Sequence, residues 1–177
     1  MTTLQIWQSS EARLCSRVNR WGAQRTIKRF FTIISRLGDG MAWYGLMLAI
    51  GLLGGAKGGF AALHMGLTGL VAAGMYRELK RWTRRPRPFR AHTDIVALAL
   101  PLDEFSFPSG HTLHAVTFTM MALAYFPLLA PLLIPFTLLV AASRVVLGLH
   151  YPSDVLAATL LAFGLAGGSL WLGTLIP

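Results

Sequence analysis

The sequence predicts an all-α, integral-membrane helical bundle of about five transmembrane helices plus an N-terminal amphipathic interfacial helix, and three observations predict it. Hydrophobic residues fill 54% of the 177 positions and charged residues 13%, a balance too apolar for an ordinary soluble domain of this length. Stretches free of Asp, Glu, Lys and Arg run from Gly40 to Ala56, Gly58 to Tyr76, Phe105 to Ser143 and Val155 to Pro177, and crossing a bilayer takes roughly 17 to 25 mostly apolar residues. The net charge of +9 comes from basic residues that flank these stretches.

Residues 4–21 come first. Leu4, Trp7, Leu14, Val18 and Trp21 fall on one side at helical spacing, and Arg13, Arg17 and Arg20 fall on another. That pattern suits a helix lying in the headgroup layer, with packing against the chain's own bundle as the alternative. "SRLGDG" at 35–40 breaks the pattern and separates an amphipathic N-terminal segment, residues 1–37, from a transmembrane domain, residues 38–177. Spans are expected at about 38–56, 59–79, 110–126, 132–148 and 154–175. Pro127 and Pro131 mark the turn inside the longest apolar stretch, because proline lacks the donor that a continuing helix would use.

The first thirty residues lack a basic start, an uninterrupted apolar core and a cleavage site, so the first span is expected to direct insertion rather than a removable signal. Cys15, the single cysteine, has no partner for an internal disulfide and reads as a buried, inert thiol. No internal repeat, low-complexity tract or second domain is visible.

A pI near 10.9 admits nucleic acid, acidic lipid or an anionic substrate as partner. The basic residues flank spans and belong to no nucleic-acid-reading element, which excludes nucleic acid and leaves the lipid bilayer and an anionic lipid. The densest run, "YRELKRWTRRPRPFRAH" at 76–92, is in part an anchor: Arg77, Arg81, Arg84 and Arg90 are accounted for by headgroup attraction alone.

Counting spans puts the polar clusters on one membrane face. The second span ends at Lys80 and Arg87, the third starts at Ser109–His111, the fourth ends at Arg144, and the fifth starts just after His150 at Asp154. In "PSGHTL" Ser109 is placed to cap a helix while the backbone donors of Ser109, Gly110 and His111 point outward, and a glycine lets an anion approach that backbone. Lys80, Arg87 and Arg144 add charge-assisted hydrogen bonds, and arginine's fork suits a tetrahedral oxyanion. An unpaired basic triad at the hydrocarbon edge implies an anionic ligand. His150 and Asp154 are four apart at a helix start, so the carboxylate is placed to hold one ring nitrogen and leave the other free to attack, and His111 is placed to protonate a leaving oxygen.

A metal cluster would have to be built almost wholly from histidines, so the residues favour metal-free chemistry with no cofactor. His64, His92 and His114 lack a neighbouring carboxylate in sequence and are assigned no role.

Lys80 with six residues before Arg87-Pro88, then Pro108-Ser109-Gly110-His111, then Ser143-Arg144 with five residues before His150 and three before Asp154, resemble the three-part signature of the type 2 phosphatidic acid phosphatase superfamily. The resemblance covers residues 80–154 in order and spacing. It implies a lipid phosphatase in which His150 forms a phosphohistidine, Asp154 orients it and His111 protonates the leaving group, while Lys80, Arg87, Ser109, Gly110 and Arg144 bind the phosphate without metal. Substrates of that kind include undecaprenyl diphosphate, phosphatidylglycerophosphate, phosphatidate and prenyl-linked sugar phosphates. Integral bacterial members commonly have six spans, and here the charged segment at 4–21 stands where the first would be, which moves the N-terminus to the side of the active site.

Of the sixteen basic residues, twelve besides Lys80, Arg87 and Arg144 lie on the active-site side and Lys57 lies opposite, so the positive-inside rule places the site on the cytoplasmic face of a multi-pass bacterial inner-membrane protein. The resemblance implies the outer face instead, where many bacterial relatives act on lipid carrier diphosphates. Competing functions are phosphoryl transfer to an acceptor other than water, and a non-enzymatic anionic-lipid binding or transport protein, which has no need of the His150–Asp154 pair. A vanadate-dependent haloperoxidase shares the anion pocket but is soluble, against the charge-free spans. Neither the particular lipid nor the oligomeric state follows from the sequence.

Overall fold

The computed structural model describes residues 3–175, with side chains from Ser9 onward, so the sequence-expected contributions of Leu4 and Trp7 lie outside the described side chains. The helices are α1 (Thr3–Gly22), α2 (Arg25–Leu37), α3 (Met41–Leu53), α4 (Gly55–Thr83), the short α5 (Pro88–Ala91), α6 (Gly110–Tyr125), α7 (Ala130–Val146) and α8 (Pro152–Gly173), and no strand occurs among the described residues. The five expected spans correspond to α3, α4, α6, α7 and α8. Three helical stretches, Gly55–Ala91, Pro127–Val146 and Pro152–Gly173, are long and apolar enough to cross a membrane. The protein is an all-helical membrane protein.

α6 is the hub. It packs against α4, α7 and α8, and ten of its sixteen residues are buried, including Leu113, Ala115, Phe118 and Met121. A helix apolar on every side belongs inside a bundle. Its neighbours approach closely because they present small residues: Ala158, Ala162 and Ala166 of α8, spaced four apart, are all fully buried. One turn earlier on the same stripe stands Asp154, also fully buried, so the repeat that docks α8 on α6 points this carboxylate inward. On α4, Gly69 admits the Phe118 ring, which a methyl group there would meet at 2.7 Å. Phe126 ends α6, a single 3-10 turn covers Pro127–Leu129, and Pro131 sits in the first turn of α7, where its missing N–H is not needed.

The N-terminal helix docks on the bundle by a different face from the one its apolar pattern marks. α1 does not dock through Leu14 and Trp21, which are 47% and 49% exposed; it buries Glu11, Cys15, Ser16 and Asn19 against the bundle. Those positions form their own helical stripe, and polar docking is possible because Glu11 and Asn19 find partners while Cys15 packs against Ile95 and Tyr151: Asn19 Nδ2 donates to the Val96 and Val146 carbonyls at 3.0 and 3.1 Å, and its Oδ1 accepts from Val96 N at 2.9 Å. Leu14 and Trp21, with Arg13, Arg17 and Arg20, face outward. A second helix, α2, occupies 25–37, where the sequence suggested no element; it lays Phe31 and Ser35 on α7 and leaves Lys28, Arg29, Phe30 and Ile33 exposed.

Candidate active site

Three chain segments meet at the α1–α2 end of the bundle. The first is the N-terminus of α6. Ser109 caps it, accepting from the Thr112 backbone at 3.4 Å and the Thr112 hydroxyl at 3.0 Å. Ser109's own N–H donates to the Asp154 carbonyl at 3.3 Å, so it does not point outward as the sequence suggested; the free first-turn donors belong to Gly110 and His111. Gly110 and His111 line a cavity of about 520 Å³.

The second segment is the turn from α7 to α8. Gly148 adopts a left-handed φ of +72°, and a side chain there would meet the Val96 carbonyl at 2.7 Å and Asn19 at 2.8 Å. The turn folds back so that the Leu149 and His150 N–H groups both donate to the Arg144 carbonyl, at 3.0 and 3.1 Å. Arg144 and His150 therefore arrive together, buried to 2% and 1% exposure.

The third segment is the end of α4 with the loop beyond it. Lys80 Nζ donates to Asp103 Oδ1 at 2.8 Å and to the Phe105 carbonyl at 2.7 Å. Arg87 donates through Nη2 to the same Asp103 oxygen at 2.8 Å, through Nε to the Asp103 carbonyl at 3.1 Å, and through Nη1 to the Leu149 carbonyl at 2.7 Å. This corrects the expectation of an unpaired basic triad: two of its members share one carboxylate. Burial alone would raise the Asp103 carboxyl, but the Lys80 and Arg87 cations outweigh it and hold it below the usual range. Arg144 differs. Its Nη1 donates to the Ser35 hydroxyl of α2, and its Nε is buried with no hydrogen-bond partner.

His150 sits between these groups. Arg87 Nη1 lies 3.2 Å from His150 Nε2, and arginine is always a donor, so Nε2 is an acceptor and the ring proton resides on Nδ1. Nδ1 faces Asp154 Oδ2 at 3.6 Å, just beyond hydrogen-bond range, and is otherwise unpartnered. Burial first, then the charges of Arg144, Arg87, Lys80 and His111, push the His150 imidazole well below its ordinary value. It is a neutral base with its lone pair toward the basic groups. His111 Nε2 contacts Asp39 Oδ1, from the turn between α2 and α3.

From this polar end the cavity continues between α3 and α4, past Trp43, Tyr44 and Met47 on one side and Gly66, Leu70 and Gly74 on the other. A polar head with an apolar cleft beneath it has the shape and polarity of a site for an amphiphile.

The structure thus brings Arg87, Gly110, His111, Arg144 and His150 to one cavity, with Lys80, Ser109 and Asp154 directly behind it. Sequence reasoning missed Ser35, Asp39 and Asp103, which touch these groups from other elements, and also Ser106, whose hydroxyl donates to Asp154 Oδ2. His64 is paired instead with Tyr125 and Ser169, at 2.7 and 2.8 Å, away from this cavity.

The model of the PAP2 superfamily matches residues 58–174. Undecaprenyl-diphosphatase BcrC of Bacillus subtilis is 33% identical over 117 residues, covering 66% of this chain and 60% of that protein. Phosphatidylglycerophosphatase B of Haemophilus influenzae is 48% identical over 69 residues, 33% of this chain and 29% of that protein. The matches therefore span 29% and 60% of the length of these two relatives. The crystal structure of the transmembrane PAP2-type phosphatidylglycerolphosphate phosphatase from Bacillus subtilis superposes with a TM-score of 0.78 at 24% identity, over 97% of this chain and 88% of that one, which establishes the shared fold.

Proposed function

The chain belongs to the PAP2 superfamily, and from that premise we propose that it is a metal-independent lipid phosphatase, hydrolysing a phosphomonoester or diphosphate of a membrane lipid. The observation that carries the reading is His150, a buried neutral imidazole whose Nε2 faces Arg87 beside the unpaired Arg144, at the head of an apolar cleft. His150 Nε2 attacks phosphorus as Arg87 Nη1 shifts from the ring nitrogen to a phosphoryl oxygen. The P–O bond to the leaving group breaks, His111 gives its proton to the departing oxygen, and Asp154 receives the Nδ1–H of the phosphohistidine. Water then attacks phosphorus as His111 takes its proton, the Nε2–P bond breaks, phosphate leaves, and both His150 and the protonated His111 are restored. Arg144, Arg87 and the Gly110 and His111 amides hold the phosphoryl oxygens throughout, and Lys80 adds its positive charge from behind them.

The two relatives act on undecaprenyl diphosphate and phosphatidylglycerophosphate by their names, and these, with phosphatidate and prenyl-linked sugar phosphates, are the substrate candidates. The cleft between α3 and α4 supports a lipid tail over a soluble phosphate ester. Exposed basic residues of α1 and α2 crowd the site end, and Lys57 stands at the other end of α4, which supports a multi-pass inner-membrane protein with its site toward the cytoplasm.

The test is phosphate release by purified protein from a panel of these lipids, with His150→Ala alongside. Release by the native chain and none by the variant is expected. Full release by His150→Ala would remove the nucleophile from the scheme, and phosphate appearing on an added lipid acceptor in place of solution would convert the hydrolase into a transferase.

A further inference from the structure

We propose that Arg85 and Glu11, neither assigned a role above, are positioning residues for the His150–Asp154 pair, so that the N-terminal helix α1 is a working part of the catalytic end. The inference rests on the reading of His150 as nucleophile. Asp154 is fully buried, and its carboxylate is held from three sides without any help from His150: Arg85 Nη1 donates to Oδ1 at 2.7 Å, the Tyr151 N–H donates to Oδ2 at 2.9 Å, and the Ser106 hydroxyl donates to the same oxygen. The imidazole at 3.6 Å is the looser partner. The carboxylate is therefore a fixed post onto which the ring settles, and what fixes the post governs the ring.

Arg85 is the charged member of that set, and it does not face the phosphate cavity, whose lining includes Arg87 and Arg144 but not Arg85. Its Nη1 also reaches the Ser153 hydroxyl at 2.7 Å, and its guanidinium carbon lies 4.1 Å from the centre of the Tyr151 ring, which it covers. The other arm of the fork, Nη2, donates to Glu11 Oε2 at 2.9 Å. Glu11 uses its second oxygen to accept the Ser153 N–H at 2.7 Å, one of the first-turn donors of α8 that the helix itself leaves free. Its side chain is 6% exposed, so a carboxylate carried in from 142 residues away is buried to hold both the arginine and the helix end.

The result is an alternating string: imidazole, carboxylate, guanidinium, carboxylate. Only a fork makes both ends of it, since an ammonium cannot span Asp154 and Glu11 in fixed geometry. The titratable groups packed beside Arg85 and Glu11 add no further charge. Burial, then Glu11 and Asp154, raise the Cys15 thiol to about 12, and burial chiefly raises the Tyr151 phenol to about 12, so both stay neutral. On the other side His150 faces Lys80, Arg87, Arg144 and His111.

This arrangement makes predictions of opposite sign. Removing the Arg85 cation leaves the Asp154 carboxylate opposite His150 without its counter-charge and raises the affinity of the imidazole for protons, so activity is lost at a higher pH as acid is added. Removing the Glu11 anion leaves Arg85 less balanced and moves that loss to a lower pH. The experiment measures kcat and KM against pH for the full chain in phospholipid–detergent micelles, on undecaprenyl diphosphate or the best substrate of the panel, for Arg85→Gln, Arg85→Lys and Glu11→Gln. Misplacing a supporting group costs about 10- to 100-fold, so Arg85→Gln is expected to lower kcat by that factor with KM within about 3-fold of native. Arg85→Lys is expected to restore the native acid limb while kcat stays below native. Glu11→Gln gives the smaller loss of kcat and shifts the limb the other way. A raised KM at native kcat in Arg85→Gln would make Arg85 a phosphate ligand and overturn the proposal. So would acid limbs that stay put in both variants while activity tracks a lowered melting temperature. If Arg85→Gln does not fold, the Glu11→Gln limb decides alone. Native activity in Arg85→Gln with His150→Ala inactive defeats this proposal only, whereas an active His150→Ala defeats the reading beneath it.

Discussion

Arg144→Met should make the protein more stable and less active at once. Arg144 is 2% exposed, its Nε has no partner, its Nη1 is met by a neutral hydroxyl, and no carboxylate among the described residues lies within 4 Å of it. A buried unsatisfied donor costs about 1–3 kcal/mol, and replacing buried ionic groups with apolar side chains of similar volume is commonly neutral or stabilising by about 1–4 kcal/mol. Against this stands the hydrogen bond to Ser35, which involves a charged donor and is worth about 1.5–3 kcal/mol. The balance favours methionine by about 1–2 kcal/mol, a rise of roughly 3–6 °C in Tm for a chain of this size. Function moves the other way: deleting one donor to a developing oxyanion costs about 10²–10³ in kcat. Thermal unfolding followed by tryptophan fluorescence in detergent, with and without vanadate, reads both effects. Vanadate at a hundred times its Kd adds about 2.7 kcal/mol to the native protein and should add nothing to the variant. A variant that melts below native and is still stabilised by vanadate would show that Arg144 serves the fold and that the oxyanion sits elsewhere.

Because burial and the surrounding cations hold the His150 imidazole well below 6.5, the nucleophile stays neutral as pH falls through that value, and kcat/KM on a lipid diphosphate should decline only at lower pH; an acid limb at or above 6.5 contradicts the assignment. Asp39→Asn removes the anion against His111 and should slow a phosphomonoester, whose leaving alkoxide needs a proton, by about 10-fold or more, and a diphosphate much less, since acid catalysis is worth most to a poor leaving group. Equal losses on the two substrates would count against His111 as the acid. Asp103→Asn deletes the carboxylate shared by Lys80 and Arg87; inhibition by phosphate or vanadate should tighten while stability drops by about 1–3 kcal/mol, and weaker inhibition would mean that Asp103 orders the two cations for the ligand.

Much of this was legible because the bilayer simplifies the code. A span announces itself by length and the absence of charge, so α3, α4, α6, α7 and α8 fall close to where hydropathy and Pro127 and Pro131 put them. The depth of a residue then follows from counting spans, which is why positions as distant as Lys80 and His150 could be brought together from sequence. α2 was not legible: its Phe30, Phe31, Ile33 and Ile34 alternate with Arg25, Lys28, Arg29 and Arg36, too charged for a span and too near the "SRLGDG" break to read as an element of its own. Nor were the carboxylate partners, because Asp39, Asp103 and Glu11 meet His111, Arg87 and Arg85 through tertiary approach, and periodicity carries no information about a pair that lies on different elements. A signal did exist in the acid count. All seven acidic residues lie on the site's side of the expected spans, and buried cations at the hydrocarbon edge require partners from somewhere.

Those partners give the N-terminal hairpin a meaning beyond anchoring. The family match begins at Gly58, yet three contacts to the catalytic end come from before it: Glu11 to Arg85 and the α8 N-terminus, Ser35 to Arg144, and Asp39 to His111. Each reaches a different member of the site, and two of them come from α2 and the turn that follows it. The outer faces of α1 and α2 meanwhile expose Trp21, Phe30 and Ile33 among arginines, the composition of a surface seated at the headgroup level. If lipid holds that outer face, the inner face, which carries the partners of His111 and Arg144, ties the site to the membrane surface. Turnover in vesicles should then vary with their anionic-lipid fraction, and turnover independent of lipid composition would mean that the hairpin serves packing alone.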